Sequence, residues 1–284
     1  MITDRKNVVL TKDLLGALAE LDDRAALFRG MTGAGPDPAE LAALRRTLVA
    51  SAGASTRLEG SRLSDADVEA LIVRRARGER LRRRDEQEVA GCLDLLETVF
   101  DNHEHIPLTE NYIRQLHKIL LMPSEKDTRH RGRYKTSENA LYVSDADWET
   151  ASCGIFLTAS AFDTPRFMES LVAWTNEELD LKILHPVLII GVFIVHFLAI
   201  HPFMDGNGRL SRALTNLLML RQGYSHMPYA SMEAAIEAER DGYYRALREA
   251  QKTIWGDAPD YTAWLAYFVD SLVRQARGLP GRIA

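Results

Sequence analysis

Cysteine is scarce: Cys92 and Cys153 are the only two in 284 residues. They stand far apart and outside any Cys-x-x-Cys or Cys/His spacing, which argues against a disulfide framework and against a thiolate zinc site. Reduced thiols, and hence a cytoplasmic location, are expected. No apolar run reaches the roughly 20 residues that a membrane-spanning helix needs. The longest, from Val187 to Ile200, contains His196 and is expected to be a buried core helix, so no membrane association is expected. The opening MITDRKNVVLTKDLL mixes charges among its apolar positions and lacks the features of a secretory leader. Charge of one sign is lacking too. Lys and Arg total 35 against 40 Asp and Glu, a net charge of -5, so no overall basic field calls for nucleic acid. Repeats, low-complexity tracts and Pro-rich linkers are absent.

What remains is 46% hydrophobic and 26% charged, the balance of a soluble globular chain able to bury its own core. Apolar residues recur mainly at three- and four-residue spacings, which predicts a predominantly helical, all-α fold. Helices are expected at 11–29, 37–52, 65–77 and 85–100. Another begins after Pro107 with Thr109 as N-cap, and others cover 166–179 and 186–200. A further helix follows Gly208 and stops at Gly223, and 232–277 is helical with a break near 256–259. The segment RHRGRYKTSENALYVSD interrupts this pattern; it is polar and ends in the strand-like Leu141 to Val143, so a loop or hairpin is expected over about 130–144. Three regions result: 1–107, 108–223 and 224–284.

The stretch HPFMDGNGRLSR, residues 201 to 212, carries the chemistry. It lies at a corner between the apolar helix and the amphipathic RLSRALTNLLML. Gly206 and Gly208 permit close backbone approach to a ligand, and the helix that follows offers unpaired N–H groups and a positive dipole end, together an anion nest. Arg209 and Arg212, three apart, add guanidinium charge toward a polyphosphate. Asp205 suits a magnesium ion bridging phosphates. His201 has a reference pKa near neutrality and can take a proton from a hydroxyl. A glycine-rich helix connection with a core histidine explains any one of these residues, but not a base, a carboxylate, two glycines and two arginines within twelve positions.

HPFMDGNGRLSR resembles, position for position, the HxFx(D/E)GNGRxxR signature of the Fic (filamentation induced by cAMP) domain family. HPVLIIGVFIVHFLAI and LTENYIRQLHKILL are similar to the family's helix before the motif and to its opening helix. The resemblance implies a helical core with a β-hairpin flap, flanked by N- and C-terminal helices, and a protein adenylyltransferase moving AMP from ATP to a Ser, Thr or Tyr hydroxyl. On that resemblance His201 is the base and Asp205 the magnesium ligand. Gly206, Asn207 and Gly208 form the anion hole, Arg209 serves the β phosphate, Arg212 the γ phosphate, and Phe203 packs in the core. RGRYKTSENALYV resembles the flap, with Lys135 where Arg is common, and nominates Leu141, Tyr142 and Val143 for main-chain docking of the target. RDGYYRALREAQ resembles the stretch walling the adenine site, which nominates Tyr244 and Gln251.

STRLEG, residues 55 to 60, resembles the family's inhibitory (S/T)xxxE(G/N) motif on a helix at about 50–60, with Ser55, Glu59 and Gly60 in place. The resemblance implies that Glu59 pairs with Arg212 and silences the enzyme. Alternatives are a de-adenylylase in which Glu59 activates water, and a regulatory module that binds ATP without catalysis. The implied partners are ATP, magnesium and a protein substrate that could be the chain itself, and a homodimer is compatible. The basic run Arg74 to Arg84 is interleaved with Glu79, Asp85, Glu86 and Glu88 and reads as a solvated surface. His196 and His201 are five apart, which does not suit a zinc helix.

Overall fold

The computed structural model describes residues 5–31, 38–143 and 154–279. Among these residues, eleven α-helices and one two-stranded antiparallel sheet are joined by short turns. The axis is α7 (Pro186–Ile200), in which every residue from Val187 to Ile200 is buried. Around it pack α6 (Thr164–Leu181), α8 (Asn207–Arg221), α10 (Arg240–Gln251) and α11 (Thr262–Arg277). Ile189, Ile190, Val192, Ile194 and Val195 are β-branched and weak helix formers. Full burial of each such side chain contributes about 1.5–3 kcal/mol and outweighs that preference. Gly191 lets α11 approach closely: a Cβ there would lie 2.7 Å from Leu265, and Trp264 Nε1 donates to the Gly191 carbonyl at 2.7 Å.

On the N-terminal side, α1 (Lys12–Met31) lies along α11, while α2 (Pro38–Leu58) packs against α4 (Arg84–Asn102) and α9 (Met232–Ala238). Ser64 and Asp67 form a capping box that starts α3 (Asp65–Ala76). The Thr109 hydroxyl accepts the Tyr112 N–H at 3.2 Å and starts α5 (Glu110–Leu120). The helix expected at 37–52 and the inhibitory segment at about 50–60 are one element, α2, which runs six residues further than expected. Its interior Gly53 is tolerated because Arg57 and Asp65 pack over the space a side chain would take.

The hairpin differs from its expected bounds. Strand β1 (Ala140–Val143) pairs antiparallel with β2 (Gly154–Leu157), with Ala140 opposite Leu157 and Val143 opposite Gly154. Residues 130–139 form turns and irregular backbone rather than a strand. The pairing partner therefore lies C-terminal to β1, and Ser144 to Cys153 between the strands are outside the described residues. The short GIFL run of β2 lacks the alternation that marks a strand. Among the described residues no helix is long and apolar enough to cross a membrane.

Candidate active site

The corner between α7 and α8 begins at His201, the C-cap of α7, with a left-handed backbone (φ 51°, ψ 60°). Its N–H still closes on the Phe197 carbonyl at 2.9 Å, and Pro202 stops the helix. The imidazole Nδ1 lies 3.3 Å from the Leu198 carbonyl, an acceptor only, so Nδ1 carries the proton and Nε2 keeps its lone pair. Burial lowers the His201 pKa to about 4, with Lys135 acting in the same direction, against the Leu198 carbonyl, Glu59 and Asp205. The ring is therefore neutral at pH 7.

Asn207 closes the loop beneath. Its Oδ1 accepts the Phe203 N–H at 3.0 Å and its Nδ2 donates to the Phe203 carbonyl at 2.8 Å. Its side chain thus shapes the loop, leaving its main-chain N–H, with those of Gly208 and Arg209, in the first turn of α8. Gly206 (φ 81°) is the N-cap. His117 of α5 supports the loop from behind and had no sequence signal of its own. Its Nδ1 accepts the Gly132 N–H and its Nε2–H donates to the Asp205 carbonyl, both at 3.0 Å, while its ring stacks on Phe203 at 3.7 Å. Burial lowers the His117 pKa to about 4.

Asp205 is the loop's single carboxylate. Burial raises its pKa, but Arg209, the Gly206 N–H and Arg84 outweigh burial and hold it below the usual range. Arg209 Nη2 donates to Asp205 Oδ1 at 3.0 Å, and Arg84 Nη2 lies 3.5 Å from Oδ2. Arg209 is buried, and its Nε and Nη1 have no hydrogen-bond acceptor among the described residues; Glu88 Oε2 stands 3.7 Å from Nη1. Among the described residues no three His, Cys, Asp or Glu side chains cluster as a metal cage.

Arg212 is paired with α2. Its Nε donates to Ser55 Oγ at 2.9 Å, and its Nη2 to the Ser55 carbonyl and Glu59 Oε1, both at 2.8 Å. Burial lowers the Arg212 pKa, but Glu59 outweighs burial and raises it, so the guanidinium stays charged. Glu59 is the C-cap of α2 in a Schellman motif: Ser61 N–H bonds the Thr56 carbonyl, Gly60 N–H bonds the Arg57 carbonyl, and Gly60 takes φ 101°. The Glu59 carboxylate sits over the first turn of α8, where a Cβ added to Gly208 would collide with its Oε1. A carboxylate is unfavourable at the C-terminus of its own helix and favourable at the N-terminus of another.

Tyr244 OH donates to the Leu58 carbonyl at 3.0 Å, so the tyrosine also touches the end of α2. Gln251 is buried with Nε2 lacking an acceptor. Leu141, Tyr142 and Val143 lie on β1, whose second edge has no strand partner among the described residues. Lys135 Nζ donates to Asn139 Oδ1 and Thr158 Oγ1 at 2.8 Å and to the Ile200 carbonyl at 3.0 Å, tying both ends of the hairpin to the turn before His201. In the basic run, Arg74 pairs with Glu79 and Glu86, Arg75 with Asp94 and Arg80 with Glu125, as expected of a solvated surface. His196 bonds Tyr261 in the core at 2.7 Å.

Residues 107–219 match the Fic/DOC family. Among curated relatives it is 27% identical over 198 residues to protein adenylyltransferase fic-1 of Caenorhabditis elegans, covering 69% of this chain and 34% of the relative. It is 28% identical over 163 residues to protein adenylyltransferase Fic of Drosophila melanogaster, covering 57% and 28%. The chain thus spans about a third of the length of these relatives. A Fic family protein from Desulfovibrio desulfuricans superposes with a TM-score of 0.74 at 22% identity, covering 95% of this chain and 75% of that one. C. elegans Fic-1 superposes with a TM-score of 0.64 at 22% identity, covering 94% and 71%. The fold is the helical Fic fold with its hairpin.

Proposed function

We propose that this chain is a protein adenylyltransferase that moves AMP from ATP to a Ser, Thr or Tyr hydroxyl, and that Glu59 holds it silent in this conformation. The observation that carries the reading is the Glu59–Arg212 pair over the first turn of α8, in the loop that also holds a neutral His201. The α8 N–H groups, with the Arg209 guanidinium beside them, suit the phosphates of ATP, and Gln251 suits its base. His201 Nε2 accepts the proton of the incoming hydroxyl as its oxygen bonds the α-phosphorus. The bond from that phosphorus to the bridging oxygen breaks, and pyrophosphate leaves. Asp205, the loop's single carboxylate, would hold a magnesium ion, which would offset phosphate charge when bound. The edge of β1 that has no strand partner among the described residues suits a target segment adding as a strand.

Glu59 opposes this in two ways. It occupies Arg212, the partner expected for the γ phosphate, and it places a like charge where the triphosphate tail belongs. Glu59→Gly is therefore expected to raise transfer of label from α-labelled ATP to protein, the chain itself included, by about tenfold or more. Adding His201→Ala should abolish it. Equal labelling by wild type and Glu59→Gly would refute the brake, and no labelling by Glu59→Gly on host lysate would refute adenylyl transfer. Release of AMP from a labelled protein by wild type but not by Glu59→Gly would instead support Glu59 as an activator of water.

A further inference from the structure

The last four carbonyls of a helix have no partner within it, and at the end of α7 each finds one elsewhere. The Phe197 carbonyl accepts the His201 N–H at 2.9 Å, and the Leu198 carbonyl accepts His201 Nδ1–H at 3.3 Å. The other two are met by the base of the hairpin. The Ala159 N–H donates to the Ala199 carbonyl at 3.4 Å, and Lys135 Nζ donates to the Ile200 carbonyl at 3.0 Å. The same clamp follows the chain around the corner: the Lys135 N–H donates to the Pro202 carbonyl at 2.8 Å, and Asn139 Nδ2 lies 3.1 Å from the Phe203 carbonyl and 3.4 Å from that of His201. Every carbonyl from Ala199 to Phe203 thus accepts from the hairpin base, and Asn139 is the member that reaches the carbonyl of His201 itself.

The orientation of the Asn139 amide is fixed by its surroundings. Among the described residues its Oδ1 meets donors, Lys135 Nζ at 2.8 Å and the Thr158 hydroxyl at 2.5 Å, while its Nδ2 meets carbonyl oxygens. His201 needs such a hold, because its left-handed backbone (φ 51°) is one that a residue with a side chain adopts at a cost and keeps where its surroundings impose it. We infer that Asn139 is a positioning residue for His201, whose amide fixes the peptide that follows the imidazole relative to the hairpin. Asn139 immediately precedes β1, the strand proposed to receive the target, so the docking edge and the base are held by one side chain. A hydroxyl on a segment added to that edge is then set at a defined place beside His201 Nε2, on which in-line attack depends. The kinetic part of this inference rests on the adenylyl transfer proposed above; the geometric part does not.

The test uses Asn139→Ala and Asn139→Asp in the Glu59→Gly background. The aspartate keeps the acceptor for Lys135 and Thr158 and lacks the donor. Each variant should lower kcat for labelling about tenfold and leave KM for ATP within about twofold, because the start of α8 is held separately by Asn207 and His117. With isotope-labelled histidine, the His201 ring resonance, assigned by its loss in His201→Ala, should shift in both variants, while that of the remote His226 keeps its place. An unchanged His201 resonance overturns the positioning whatever reaction the protein performs. Parallel losses of kcat and of ATP affinity, or loss of the helical circular dichroism in both variants, would make Asn139 a general structural residue and overturn the assignment, as would an unaltered kcat. No labelling by Glu59→Gly itself would refute adenylyl transfer, and the resonance would still decide the geometry.

Discussion

His201 and Lys135 set opposite limits on the pH range of the site. The imidazole works as a base only while unprotonated, and burial has already moved its titration from 6.5 to about 4. Activity that needs it is present above that value and lost as pH falls through it. Lys135 titrates at the other end, because burial lowers its pKa from 10.5 to about 8, with Glu138 opposing. As an ammonium it has three N–H donors for its three acceptors, and above about 8 it loses one donor and its charge. The labelling rate of Glu59→Gly should therefore be flat from about pH 5 to 8 and fall on both sides. Lys135→Arg, which stays charged, should remove the alkaline limb; an unchanged limb in that variant would assign it elsewhere. None of the neighbours that hold this geometry stands close to the loop in sequence, since His117, Lys135 and Arg84 come from other elements; a single histidine carries no spacing that marks it, and Lys135 stood out only through the flap resemblance.

At the scale of elements, what matters is how the last turn of α2 is kept in register with α8. Arg57, two residues before Glu59, clasps Glu237 of α9 through Nε at 2.6 Å and Nη2 at 2.8 Å. It also reaches Asp65 at the start of α3 at 2.8 Å and the Leu63 carbonyl at 3.1 Å. These bonds hold the turn that aims Glu59. The Arg57 and Glu237 side chains are 24% and 31% exposed, so the pair contributes about 1 kcal/mol, or about fivefold in an equilibrium. Glu237→Gln should raise wild-type labelling about fivefold and leave Glu59→Gly unaffected, because no plug remains to be loosened. A rise in both backgrounds would place Glu237 in catalysis instead. The helices themselves were largely legible, for capping residues and apolar spacing are local signals. The hairpin was half legible: β1 holds the strand-favouring Tyr142 and Val143, whereas β2 is a four-residue run whose state is decided by pairing with β1.

For the molecule as a whole, acid is the weakness. Burial lowers the pKa of His117, His201 and His226 to about 4 and of His196 to about 3. The unfolded chain takes up these protons near 6.5 and the folded chain does not, so the unfolded state binds more protons between those values. Stability is then present above about pH 6.5 and lost as pH falls toward 4. His226 isolates the effect, as it is fully buried beside Phe28 and Tyr224 and neither ring nitrogen has a hydrogen-bond partner among the described residues. His226→Phe should gain about 2 kcal/mol relative to wild type at pH 5 beyond any difference at pH 7, read by urea unfolding at both. An equal difference at the two pH values would show that the ring does not titrate in this way.

The residues of the 201–212 loop are consecutive, so their chemistry was written in the chain: a base, a carboxylate, glycines and arginines are brought together by one helix corner whatever the rest of the fold does. The helical class was determined likewise, because periodic burial and capping act over a few residues. Folding decided the state of the site. Arg212 and Glu59 are 153 positions apart, and only the packing of α2 beside α8 brings a carboxylate onto a guanidinium, in a place where burial makes that contact strong.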